Sequence, residues 1–204
     1  MFVLVACEFS GVVRDAFIDR GHEAISCDFE PGEGKYKDRH YQGDMFDLVS
    51  LGFNLMIAHP PCTYLATSGT RWLYHPEDVH LPICLRRAHP KFPDRHNNLE
   101  KALEFVLRIM RTNIPKIAIE NPISIISSRI RKPDQIIQPW MFGHGETKAT
   151  CLWLKGLPKI KPTHIVEGRQ QRIHNLAPSP TRWKERSRTY PGIAAAMADQ
   201  WGIF

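Results

Sequence analysis

The sequence predicts a doubly wound α/β sheet, on three observations. Short apolar runs recur at residues 2–7, 22–27, 53–58 and 116–119. They are too short for helices and, where they lack polar alternation, read as strands buried on both faces. Segments of helical period stand between several of them, the alternation expected of a parallel sheet with helical crossovers. Acidic or reactive residues follow successive strands: Glu8, Asp28, Asp44, Cys62 and Glu120. The carboxyl ends of such strands form one edge of the sheet, and ligands bind along it.

Each element has a local cause. Residues 2–7 form the first strand; with no basic stretch before them and Glu8 straight after, they do not read as a signal peptide. Gly11 opens a helix through Val12, Val13, Ala16 and Phe17, and Gly21 ends it. Residues 22–27 are the second strand, closing on Asp28. A loop rich in glycine and charge covers 31–39. A short third strand ends at Gly43-Asp44, and Phe46, Leu48 and Val49 begin a weak helix. The strand at 53–58 is stopped by Pro60 and Pro61, which fix φ and donate no hydrogen bond, so Cys62 stands on a stiff turn. Residues 67–97 carry four prolines and no period, the mark of a lid or binding element. Leu99, Leu103, Val106, Leu107 and Met110 predict a helix over 98–112. A strand at 116–119 runs into Glu120-Asn121-Pro122. A short helix and a proline-bearing connection lead to a sixth strand at 150–154. Residues 155–188 are basic and loop-like. A last helix at 192–201 puts Ile193, Ala196, Met197 and Trp201 on one face. Residues 1–204 read as one domain, without repeat or linker.

Composition narrows the function classes. The 204 residues are 43% hydrophobic and 24% charged, and no apolar run approaches the roughly 20 residues that span a bilayer. Five scattered cysteines make no disulfide framework and fit a reducing cytoplasm. The net charge of +6 is concentrated: Arg86, Arg87, Lys91 and Arg95 lie close together, as do Arg169, Arg172, Arg182, Lys184, Arg186 and Arg188 around Trp183. Such clusters suit a polyanion.

The strand ends carry the chemistry. Cys62 is a candidate nucleophile, the alternative being a small buried filler. The segment Glu8-Phe9-Ser10-Gly11 joins the first strand to the first helix, where backbone N–H groups face a ligand. Asp28 suits ribose hydroxyls, Asp44 an exocyclic amine and Phe29 an aromatic ring, which together describe an adenosine pocket. Gly11 has no companion glycines, which disfavours a dinucleotide. His75, His80, Cys84, His89 and His96 share the long loop, but no compact ligand pair occurs, and no metal is expected.

Phe9-Ser10-Gly11, Asp28-Phe29, Gly43-Asp44, Pro60-Pro61-Cys62 and Glu120-Asn121-Pro122 occur in the order and spacing of DNA cytosine-5 methyltransferases, and the chain resembles a small, phage-type member of that family. The resemblance covers roughly residues 2–154 and the final helix. It implies a Rossmann-like class I methyltransferase sheet that binds S-adenosyl-L-methionine, and a host-cell cytoplasmic location if the chain is phage-encoded. It implies that Cys62 adds to carbon 6 of cytosine, that Glu120 holds the N3 and amino edge, and that Lys148, with Thr150, stands near the base. It implies that Phe9, Ser10, Gly11, Asp28, Phe29, Asp44 and Pro60 hold the cofactor. The implied partner is duplex DNA with the target base flipped out. Arg71, Arg86, Arg87 and Arg95 of the long loop, and Arg182, Trp183 and Lys184 of the basic segment, are placed to meet it. Three departures stand out: Val13 replaces a usual glycine, Thr150 a usual arginine, and residues 155–188 are too short for a full target-recognition domain. A free nucleotide or single strand therefore remains open as substrate, as does a non-catalytic DNA-binding role.

Overall fold

The computed structural model describes residues 1–203. Seven strands form one mixed sheet: β1 Phe2–Ala6, β2 Glu23–Asp28, β3 His40–Gln42, β4 Leu55–Ala58, β5 Lys116–Pro122, β6 Gln135–Ile137 and β7 Thr150–Lys155, in the order β3-β2-β1-β4-β5-β7-β6. The first five run parallel; β7 lies antiparallel between β5 and β6. The helices are α1 Val12–Ile18, α2 Arg95–Met110, α3 Ile126–Arg129, α4 Arg182–Ser187 and α5 Pro191–Trp201.

The apolar runs are continuous because both faces are covered. Val3 and Val5 of β1 join Leu55 and Ile57 of β4 in a core sealed by Phe17 of α1 and Met197 and Trp201 of α5. Leu4, Ala6, Met56 and Ala58 face the other way, against Leu99, Leu103, Val106 and Ile109 of α2. Adjacent strands end together: Ala6 is in register with Cys27 and Ala58, and Ala58 with Ile119. The residues just beyond those positions share one edge.

The predicted α/β class holds, with local differences. The sheet is not uniformly parallel, and β6 was not expected. In place of the weak helix at Phe46 is a 3₁₀ turn, Met45–Asp47, capped by Asp44, whose side chain accepts from the Phe46 N–H at 3.0 Å. α2 begins before 98, and its fourth buried position is Ile109 rather than Leu107 or Met110. α4 interrupts the segment read as loop. The long loop is built, not formless. Three 3₁₀ turns fold it back on itself, with Tyr74 bridged to Ala88 and the Trp72 ring against His89 and Phe92. No helix is long and apolar enough to cross a membrane among the described residues.

Candidate active site

β4 and β5 are neighbours, and both carry reactive residues past their carboxyl ends. The register that pairs Ala58 with Ile119 brings His59 alongside Glu120. His59 Nδ1 lies 3.0 Å from Glu120 Oε2, with the two side chains only 8% and 14% exposed. The turn is clamped from below: the His59 N–H donates to the Ala6 carbonyl, and Asn121 Nδ2 donates to the Pro60 carbonyl at 2.8 Å. β7 completes the group from the far side. Its antiparallel pairing with β5 sets Thr150 opposite Pro122. Thr150 Oγ1, beside Glu120, donates to the Lys148 carbonyl at 3.0 Å.

Electrostatics tie these residues together. Burial disfavours the Glu120 carboxylate, but the His59 hydrogen bond, with help from Lys148 and Thr150, wins and holds it below the ordinary carboxyl range. Cys62 is exposed as a residue, yet the protein around its sulfur and the Glu120 charge push the thiol up, while Lys148 and Arg186 pull it down. Cys62, Glu120 and Lys148 thus sit within reach of one another's fields. Lys148 is also fixed, its ammonium donating to the Arg188 carbonyl at 3.1 Å.

Beside this cluster is a cavity of about 230 Å³ lined by Cys7, Cys27, Asp28, Phe29, Gly43, Asp44, Met45, Pro61, Tyr64, Leu65, Ala102 and Phe105. That is smaller than the roughly 300–1,000 Å³ of common ligand pockets and better matched to a nucleoside than to a dinucleotide. Its walls are largely apolar. Asp28 and Asp44 each use one carboxylate oxygen to accept a nearby backbone N–H, from Glu30 and Phe46 respectively. Phe29 is 75% exposed, so its ring is not core and is free to stack. Cys7 takes a left-handed conformation at φ +58°, turning the chain sharply as it leaves β1.

Not every candidate reaches this cavity. Of the seven expected cofactor contacts, Asp28, Phe29 and Asp44 line it, and Phe9, Ser10, Gly11 and Pro60 do not. Ser10 donates to Glu8 Oε1, and Glu8 also accepts from the Val13 and Arg14 N–H groups. That buried carboxylate caps α1, so the N–H groups expected to meet a ligand already have a partner. Gly11 is required by its φ of +71° and by Arg14, whose guanidinium would clash with any Cβ there. Pro60 contributes its carbonyl to Asn121. Phe9 is buried under α4: Trp183 meets it edge-on at 5.8 Å, and Lys184 and Arg188 lie over its ring.

The expected DNA-contacting residues are mostly engaged within the chain. Arg87 is forked onto buried Asp78 at 2.7 and 2.9 Å. Arg86 donates to the Leu81 and Val79 carbonyls, and Arg95 to the Thr63 carbonyl while covering the Tyr64 ring. Arg71 lies over Trp72. Arg182 donates to the His174 carbonyl, and Lys184 pairs with Glu30 at 2.8 Å. Trp183 packs on Phe9, although half of it remains exposed. The five long-loop ligand candidates do not converge; no group of three or more metal-ligating side chains occurs among the described residues.

Sequence reasoning assigned no role to His59, Tyr64, Met45 or Phe105. His59 was recoverable in principle: once β4 and β5 are paired, the residues after both strands must be neighbours. Tyr64 and Phe105 carry no such signal, because they meet the cavity from a turn and a helix distant in sequence.

No protein-family model matches the chain, and no curated protein matches it. A solved structure of a methyltransferase from Entamoeba histolytica aligns with 88% of this chain and 60% of its own at 15% identity, with a TM-score of 0.49. The chain thus spans about 60% of the length of that structure.

Proposed function

We infer that the chain is a class I, Rossmann-like methyltransferase that uses S-adenosyl-L-methionine to methylate carbon 5 of cytosine in DNA. One observation carries the reading: a thiol and an ionised carboxylate project from the ends of adjacent parallel strands, share a field with a lysine, and stand next to a nucleoside-sized cavity. Asp28, Phe29 and Asp44 fit an adenosine, with a ring to stack and two acidic acceptors for hydroxyl and amino groups. When bound there, S-adenosylmethionine supplies an electrophilic methyl group on a sulfonium sulfur.

The chain's own residues supply the rest. Carbon 5 of cytosine is a weak nucleophile until carbon 6 is attacked. The Cys62 thiolate forms the S–C6 bond, and the C5–C6 π pair becomes electron density on carbon 5. The Glu120 carboxylate accepts from the amino group, and as N3 becomes more basic a proton taken up from solvent is shared between N3 and Glu120. Sharing that proton also weakens the negative charge that raises the Cys62 thiol, so engaging the base favours the thiolate. After methylation a solvent water or hydroxide takes the carbon 5 proton, the C5–H pair remakes the C5–C6 double bond, and the S–C6 pair returns to sulfur. Lys148 supports both anions from its fixed position.

DNA containing 5-fluorocytosine has no carbon 5 proton to lose and should trap the protein covalently in the presence of cofactor. Cys62→Ser should form no such adduct. Transfer of labelled methyl groups, measured in parallel with duplex DNA, single-stranded DNA and deoxycytidine monophosphate, identifies the substrate. Transfer to the monophosphate alone would replace DNA with the nucleotide; no adduct and no transfer to any of the three would refute the reading.

A further inference from the structure

Resting on that reading, we propose that His59 is a positioning residue for the base-binding carboxylate: its Nδ1–H holds Glu120 Oε2 and leaves Oε1 to meet the amino edge of cytosine. The geometry is direct. His59 extends β4 by one residue, its backbone N–H still bonded to Ala6 of β1, so the imidazole cannot drift along the sheet. Its ring is more than nine-tenths buried, and Glu120 is its one polar contact among the described residues.

The other ring nitrogen settles the tautomer. His59 Nε2 is buried with no hydrogen-bond partner among the described residues. A proton there would be an N–H sealed away from any acceptor, a costly arrangement. The proton therefore belongs on Nδ1, where a carboxylate waits at 3.0 Å. With that donor on one oxygen, the carboxylate is oriented before a base arrives and loses little freedom when it binds.

The neighbours explain why such a donor is needed here. Glu120 faces His59 from β4, Lys148 and Thr150 from the β7 side, and Cys62 from the turn. Lys148 is held by the Arg188 carbonyl, and Thr150 donates to the Lys148 carbonyl. Among the described residues His59 makes the charge-assisted hydrogen bond to Glu120 at 3.0 Å, with Thr150 lending a lesser contact.

Two substitutions separate this role from simple packing. His59→Leu keeps the bulk and removes the donor. His59→Asn places an amide N–H where Nδ1–H was. In the presence of cofactor, His59→Leu should form the 5-fluorocytosine adduct roughly 10- to 100-fold more slowly, with DNA affinity unchanged within about twofold, and His59→Asn should recover most of the rate. The carboxyl ¹³C signal of Glu120, assigned with Glu120→Gln, should titrate at higher pH in His59→Leu than in wild type or His59→Asn. If His59→Leu does not fold, His59→Gln, whose amide reaches the Nε2 position and not Nδ1, takes its place with the same expectations. An unchanged rate, an unmoved Glu120 titration, or an Asn variant as slow as Leu, each with an active wild type, overturns the role of His59 and leaves the proposed function standing. A wild type that forms no adduct overturns both.

Discussion

Two basic regions of this molecule use their charge in opposite ways. In the long loop, Arg87 is locked onto Asp78, Arg86 onto two carbonyls and Arg95 onto Thr63. Around the strand tips, Lys148, itself held by the Arg188 carbonyl, and Arg186 both pull the Cys62 thiol down, and the Arg186 side chain has no hydrogen bond or salt bridge among the described residues. Arginines that look alike in sequence are therefore not alike in availability. A cation satisfied within its own chain organises the fold. One facing an unpaired reactive group is left free for chemistry or a ligand.

The sharpest test of this contrast is Glu120→Gln. Methyl transfer should fall by roughly 10²- to 10⁴-fold, the contribution of a positioned acid or base. In the same variant Cys62 should react faster with iodoacetamide at fixed pH, because the charge that raises its pKa is gone. Slower alkylation would separate the two groups. The next effect concerns the cavity: Phe29→Ala should weaken S-adenosylmethionine binding by roughly 5- to 100-fold in calorimetry, the range set by loss of one aromatic stacking partner. Unchanged affinity would move the adenosine elsewhere.

Smaller effects belong to the basic regions. Asp78→Asn should make the loop several-fold more sensitive to limited proteolysis, with α2 and the sheet protected. The pH dependence follows from the same ion pair. The Arg87 hydrogen bonds hold the folded Asp78 pKa below its ordinary 3.8, so the pair's contribution is present above that value and is lost as pH falls through the lower folded value. Protease resistance of the loop should thus be flat from neutrality to about pH 4 and decline below it. The smallest effect is expected at Arg186→Gln: DNA binding weakened by only a few-fold, with a shallower salt dependence by about one counterion. If Arg87→Gln, assayed with the loop shown intact, lowers that slope and Arg186→Gln does not, the contrast between the two regions is reversed.

Much of the architecture was readable from residue order. The apolar runs of β1, β4 and β5, the proline stop after β4, and the buried face of α5 all follow from local patterns. Asp28, Phe29 and Asp44, expected to share one pocket, do line one cavity, but it is the pairing of β2 with β3 that brings them there. Phe9, Ser10 and Gly11 lie outside that cavity for a local reason with a tertiary cause: Glu8 turns back to cap α1, and α4 lies over Phe9. The internal partners of the arginines were not legible, because a charge pattern does not name its counter-charges. Asp78 stands close in sequence to Arg87, but only the folded loop makes them a pair.

By itself the sequence determined which chemical groups exist and which strand ends carry them, since strand length, apolar continuity and proline stops act over a few residues. Tertiary structure alone decided how those groups meet. His59 reaches Glu120 through strand pairing across 61 positions, Lys148 arrives just ahead of the antiparallel strand β7, and Arg188 crosses to Glu33 over 155. Such contacts depend on chain closure and register, and no local preference encodes either.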